Sequence, residues 1–375
     1  MNLRLFISAL ALTLSSLITP VKSQDLDFID ILSAGTADAE LYLNEYINPF
    51  MKGFGYGFSN GWYNTAKPHR PLGLDITATV NAAFVPDKDL LFNFQGFENV
   101  QVESGSDQLP TIFGPKTETV LSFNTTSEVN YIDPDPASPT FGELVRSEEA
   151  LTGEFDAPDG LDLDEEIGSS FVPVPMVQLG IGLIKRTELK IRWLPPISTD
   201  DFDFSFYGFG IMHDFKQWTP GISHLPFDMS GFIGWTRLNA ETDFSGANSS
   251  QVGGGENQRA KYEVTSLTLQ VVASKKLSIL TVYGGFGYTI NNSSLGLLGT
   301  YIIEGETDIT LEDGSLETVQ SSTDPQEDPI DLNFKSTSPR ATLGLRLKLL
   351  ILTLHADYTI QEYNTLTAGI GFSIR

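Results

Sequence analysis

The stretch "RATLGLRLKLLILTLHADYTI", Arg340 to Ile360, alternates apolar and polar residues almost without interruption. A period of two is the period of a strand. The polar set nevertheless includes Arg346, Lys348, His355 and Asp357, so one face of the ribbon is greasy and the other charged. About 9 to 11 residues of tilted strand cross a bilayer, so the segment reads as a hairpin of two crossings with a turn near Leu350. Lipid demands apolar side chains outside, a lumen tolerates charge inside, and the backbone groups find partners only if the sheet closes.

The same pattern recurs along the chain. "LGLDITATVNAAF" sends Leu72, Leu74, Ile76, Ala78, Val80, Ala82 and Phe84 one way and Asp75, Thr77, Thr79 and Asn81 the other. "ELKIRWL" opposes Leu189, Ile191 and Trp193 to Glu188, Lys190 and Arg192. The final strand sets Leu366, Ala368, Ile370, Phe372 and Ile374 outward. Strands are expected near 72–85, 90–104, 117–131, 173–184, 187–196, 202–215, 227–243, 260–274, 277–300, 333–349, 351–361 and 364–375. That makes an all-β transmembrane antiparallel barrel of about twelve strands, within a range of ten to fourteen. Tight connections at "IKRTE", "SKKL" and "KLLIL" face long polar ones at 105–172, 242–260 and 304–332, the loop sorting of such a barrel. An exported antiparallel sandwich with one buried and one wet face produces the same alternation and stands as the alternative.

The first 23 residues read as a secretory signal: Arg4, the apolar run "LFISALALTLSSLI", and Ser23 before Gln24. No cysteine occurs, so neither a disulfide framework nor a lipidated cysteine is available. The formal charge of −25 makes nucleic acid an unsuitable partner. The acid is concentrated in two stretches. Twelve Asp or Glu against one Arg lie between Ile132 and Gly168, and ten acids with no base between Glu304 and Asp331. Both are expected as solvated external loops, at about 132–168 and 304–332.

Residues 24–71 do not read as strand. A helix capped by Thr36, with Asp38 and Glu40 in its first turn, is expected to end before Pro49. The following "GFGYGFSNGWYNTAKPHRPLG" is too rich in glycine for a helix and too aromatic for a free tail. The segment is expected to plug the barrel or cap it, with Asp38, Asn48, Pro49, Trp62 and Tyr63 as plug residues. Between His213 and Gly231, Pro220 and Pro226 interrupt the strand pattern, and Trp218 is expected in an interfacial aromatic belt on the short-turn side.

Little of the chain suggests reaction chemistry. The four histidines show no metal spacing. Neither a nucleotide-binding glycine motif nor a Gly-x-Ser-x-Gly elbow is present in context, so no enzyme, catalytic residue or cofactor is expected. Asp75, Lys190, Arg192, Arg346, Lys348, His355 and Asp357 are expected to face the lumen, with His355 and Asp357 as a candidate polar pair. Charges across a narrow lumen either pair structurally or select solutes. "DAPDGLDLDEE" offers Asp156, Asp159, Asp162 and Asp164 as an alternative calcium site.

Three segments, "NPFMKGFGYGFSNGWYNTAKPHRPLGLDITATVNAAF", "VPVPMVQLGIGLIKRTELKIRWLPP" and "GFGIMHDFKQWTPGISHLPFDMSGFIGWT", resemble an uncharacterised family of outer-membrane barrels from the Bacteroidetes. Asp38, Ala39, Asn48 and Pro49 are similar to the N-terminal hatch of the long-chain fatty-acid transporter (FadL) family, fourteen-stranded barrels. These resemblances imply a location in the outer membrane of a Gram-negative bacterium and contact with its lipids. The C-terminal strand, with Phe372 near its end, looks like a signal for the barrel assembly machinery, although the chain ends on Arg375. The expectation is a monomeric channel or transporter for a small or hydrophobic solute. The alternative is a non-transporting scaffold that displays its acidic loops to a partner.

Overall fold

The computed structural model describes residues 31–374 except 33, 199–201, 219–220, 244–254 and 303. The expected signal lies outside the described residues. Ten antiparallel strands close into a barrel: β1 (Leu74–Phe84), β2 (Phe171–Leu183), β3 (Thr187–Ser198), β4 (Phe202–His213), β5 (Asp228–Asp243), β6 (Arg259–Leu277), β7 (Leu280–Leu298), β8 (Ile330–Leu349), β9 (Leu352–Ile360) and β10 (Thr365–Ile374). Each strand pairs with the next in sequence, and β10 pairs with β1 from Leu74↔Ile374 to Ala83↔Thr365. Closure excludes the sandwich.

The alternation places side chains as the sequence implies. Ile76, Val80, Leu269, Phe286, Leu345 and Phe372 are exposed on the outside of the barrel, while Asp75, Thr77, Asn81, Thr268 and Thr367 are buried inside it. An exposed apolar girdle around a polar interior is stable only against acyl chains, so this is a barrel membrane protein. No helix among the described residues is long and apolar enough to cross a membrane.

One end of the barrel carries the turns at 184–186, 278–279 and 350–351 together with the connection 214–227. Leu350 has a φ of 57°, as the expected hairpin turn requires of its tightest residue. Trp218 is exposed at this end, against His213. The other end carries 85–170, 255–258 and 299–329 except 303.

Two of the twelve expected strands, near 90–104 and 117–131, lie outside the barrel wall. They belong to an outer lobe built from two long connections, in which 100–104, 120–132, 144–156, 304–310 and 316–323 form one five-stranded sheet. The acidic stretches expected as loops therefore carry strands. Val129, Tyr131, Leu151 and Ile309 supply a small core between them. Arg146, the one base of the first stretch, bridges Glu128 to Asp324 of the second and neutralises acids that would otherwise repel.

The helix α1 spans Thr36–Ser59, passing through Pro49 and the glycines at 53, 55 and 57. The sequence pattern predicts an end before Pro49, and a proline inside a helix costs about 3 kcal/mol. Burial outweighs that cost here: Pro49, Met51, Tyr56 and Phe58 are all buried. Gly35, with φ 105°, occupies the cap position expected of Thr36, and no side chain caps the helix.

Candidate functional site: the plugged lumen and its seam

The helix lies inside the barrel, its flanks against β1, β2, β6, β7 and β8. Two glycines make the fit. A Cβ on Gly53 would lie 2.3 Å from Val172 Cγ2, and one on Gly57 would lie 2.4 Å from Val174 Cγ2. Both valines project inward from β2, so the helix backbone rests on the wall where a side chain would hold it off. By local propensity these glycines argue against a helix. Their i, i+4 spacing, repeated opposite the Val-x-Val of "FVPVP", is the signal that points the other way.

The helix ends halfway down the lumen between two buried arginines. Arg192 on β3 donates to the carbonyls of Phe58 at 2.8 Å and Asn60 at 2.5 Å. Arg340 on β8 donates to the carbonyl of Ser59 at 2.8 Å and to Asn60 Oδ1. A helix C-terminus presents unsatisfied carbonyls and partial negative charge, and two guanidinium groups answer both. Arg192 is where the alternation predicts it, in the lumen. Arg340 is not among the predicted lumen residues, although it heads the alternating stretch and shares the inward face of Arg346.

Beyond the helix the chain continues downward. Trp62 and Tyr63 pack on Phe232 and, for Tyr63, on Tyr283. Arg192 also lies over the Trp62 ring, 3.5 Å from its centroid. Gln178 donates to the carbonyl of Trp62 and Ser230 to that of Ala66. At the short-turn end the His69 backbone N–H donates to Glu188 Oε2 at 3.0 Å, and its ring reaches Glu188 and Ser373 Oγ. Trp62 and Tyr63 are thus plug residues, and Pro49 is buried with them. Asp38 sits at the opposite end, where its carboxylate accepts the backbone N–H groups of Glu98 and Asn99 in the outer lobe.

Asp75, Lys190, Arg192, Arg346, His355 and Asp357 are all buried inside the barrel. Lys348, at its lower rim, donates to Ser373 Oγ. Lys190 and Glu188 pair at 2.5 Å. His355 and Asp357 share a face but do not pair: neither ring nitrogen of His355 has a hydrogen-bond partner. Asp357 instead accepts the hydroxyl proton of Tyr283 from β7 at 2.7 Å. Asp159 is engaged by the Thr117 backbone N–H, and no group of three or more metal-ligating side chains converges among the described residues.

Two spaces adjoin the plug. At the outer end a groove of about 270 Å³ runs along the helix face of Asn44, Asn48 and Lys52, with Asn333 and Lys335 of β8 opposite. Asn48 therefore faces a wet groove instead of the packed wall. The second space, of about 20 Å³, is wholly apolar, lined by Phe54 and Phe58 of the plug, Pro173 and Pro175 of β2, Leu194 of β3 and Phe206 of β4.

That apolar space lies behind a gap in the wall. The ladder between β2 and β3 runs only from Leu183↔Thr187 to Gln178↔Arg192. Above it residues 171–177 remain paired to β1 and 193–198 to β4, with a register shift between Leu194 and Ile197, but not to each other. Proline supplies the cause. It has no N–H and is confined to strand edges. The ladder from Pro173 and Pro175 to β1 is unbroken, so their missing donors fall on the edge facing β3, whose own sequence there is "LPPIS".

Residues 1–374 match a family of unknown function, DUF6588. No curated protein sequence matches the chain. Among solved structures, the chain is similar to the translocator domain of the autotransporter NalP from Neisseria meningitidis, at 12% identity over 90% of this chain and 98% of that one, with a TM-score of 0.25. It is also similar to a Pseudomonas aeruginosa FadL homologue, at 11% identity over 86% and 95%, TM-score 0.19. The attachment invasion locus protein Ail of Yersinia pestis shows 10% identity over 50% and 93%, TM-score 0.23.

Proposed function

The chain belongs to the family of unknown function DUF6588, and we propose that it is an outer-membrane channel, not an enzyme, that passes a small hydrophobic solute sideways between its lumen and the bilayer. One observation carries this reading: the unpaired, proline-bearing seam between β2 and β3 opens onto the apolar space against Phe54 and Phe58. Unpaired strand edges facing lipid are costly, and here the prolines reduce the number of stranded donors while keeping the strands apart. The space holds about 20 Å³ with the plug in place, roughly one water. Passage therefore requires the two phenylalanines to withdraw, which makes the helix the gate.

The test uses the absence of cysteine. Val177→Cys and Trp193→Cys place thiols on facing positions just above the last rung, Gln178↔Arg192. Bridging them with a short bifunctional thiol reagent is expected to suppress cellular sensitivity to a toxic monoaromatic compound, with recovery when the bridge is a reducible one and is reduced. Unchanged sensitivity in the bridged protein removes the lateral route.

A second reading rests on the outer lobe. Ile132, Phe141, Leu144 and Leu316 are exposed at its far end amid acidic residues. Single exposed apolar residues are ordinary, whereas several together mark contact surfaces. On this reading the barrel is a scaffold, and deletion of 133–142 abolishes partner binding without altering permeability.

A further inference from the structure

We infer that this barrel carries its own N-terminal end across the membrane and holds it at the cell surface. The direction of the plug requires it. Ile31, Leu32 and Ala34 are buried in the core of the outer lobe with Phe92, Leu109 and Leu121. Asn99 Nδ2 donates to the carbonyl of Ala34, and Asp38 is fixed by Glu98 and Asn99. Tyr46 donates to the carbonyl of Asp159, again in the lobe. From there the helix descends to the arginine clamp, and the chain reaches the short-turn end at His69, beside Ser373 of the last strand.

A helix of 24 residues is about 36 Å long at 1.5 Å per residue, and the segment from Asn60 to His69 extends it. Together they traverse the whole barrel. Parity then decides where the ends lie. Ten strands bring the start of β1 and the end of β10 to the same face, as the pairing Leu74↔Ile374 shows. The threaded segment adds one more crossing, so Ile31 lies on the face of the long connections. Because the wall closes through β10 and β1, that stretch does not slip past it sideways. It crosses with the assembling barrel. A peptide appended before residue 31 would be delivered outside.

Three single-cysteine variants of the full chain test this: Asp27→Cys before the plug, Ala137→Cys in the outer lobe and Ser278→Cys in a short turn. Intact cells are treated with a membrane-impermeant maleimide, then permeabilised and treated again, with folding checked by heat-modifiable mobility. Labelling of Asp27→Cys and Ala137→Cys on intact cells, with Ser278→Cys labelled only after permeabilisation, is the expected result. Labelling of Ala137→Cys but not Asp27→Cys on intact cells overturns the threading. Labelling of Ser278→Cys on intact cells overturns the orientation on which it depends. The lateral route of the solute does not enter either outcome.

Discussion

Arg192 and Arg340 stand on β3 and β8, five strands apart in either direction round the ring of ten, and both hydrogen-bond to the last turn of the same helix. Two diametrically opposed walls thereby grip one helix end. Hydrogen bonds to charged groups contribute about 1.5–3 kcal/mol each, and removal of both donors leaves buried carbonyls without partners. The double variant Arg192→Ala/Arg340→Ala is expected to insert and close as a barrel yet to show raised single-channel conductance in a planar bilayer. Parent-like conductance would mean that the plug is held by its packing alone.

Gly57 tests that packing. A methyl group there would meet Val174 at 2.4 Å, and overpacking of this kind costs about 1–3 kcal/mol. Gly57→Ala should lower the temperature at which the protein loses its fast, unheated gel mobility. Val174→Ala in the same chain should restore it, because the two positions are in contact and their effects do not add. Two additive losses would show that the valine is not the obstacle.

A pH effect is expected where the helix meets the connection between β9 and β10. Glu362, in the connection between β9 and β10, accepts the Tyr56 hydroxyl proton at 2.6 Å and pairs with Lys52 at 3.2 Å. Burial by itself would raise its pKa, but Tyr56 and Lys52 outweigh it and hold the carboxyl below its ordinary 4.5. A depressed carboxylate stabilises the folded form above its unfolded pKa, and that contribution fades as pH falls through the folded value. Opening events in planar bilayers should become more frequent as pH drops below about 4.5. In Glu362→Gln this step should vanish. A step of the same size in the variant would assign it to another group.

The barrel is legible in the sequence because strand alternation is local: Asp75 beside Ile76, or Arg346 beside Leu345, states which face is wet without reference to any other strand. The inward charges follow from the same rule. The plug is less legible because its stability is not local. Pro49 and the glycines oppose a helix by about 3 and 1 kcal/mol each, and packing against strands distant in sequence, such as the valines of β2 more than a hundred residues away, tips the balance back. Arg340 escapes a local reading for the same reason, since its partner Ser59 lies 281 residues off. The outer sheet is hidden by charge: acidic runs look solvated until Arg146 and a few apolar residues bring two of them together.

The prolines of the seam are plain in "FVPVP" and "WLPP", but their meaning depends on which edges face each other. Replacing Pro173 and Pro175 with threonine restores two donors on the β2 edge, and threonine suits a strand. Both positions are half-buried, and the fully buried Val172 and Val174 that meet the plug are untouched. If the missing donors hold the seam open, the double variant should extend the ladder past Gln178↔Arg192. Each added hydrogen bond contributes about 0.5–1.5 kcal/mol, so the variant should lose its fast gel mobility at a higher temperature than the parent. Sensitivity to the hydrophobic probe should fall with it. A more stable barrel with undiminished passage would separate the seam from transport, and no gain in stability would mean that the bulge at Leu194/Ile197 on β3, and not proline on β2, keeps the strands apart.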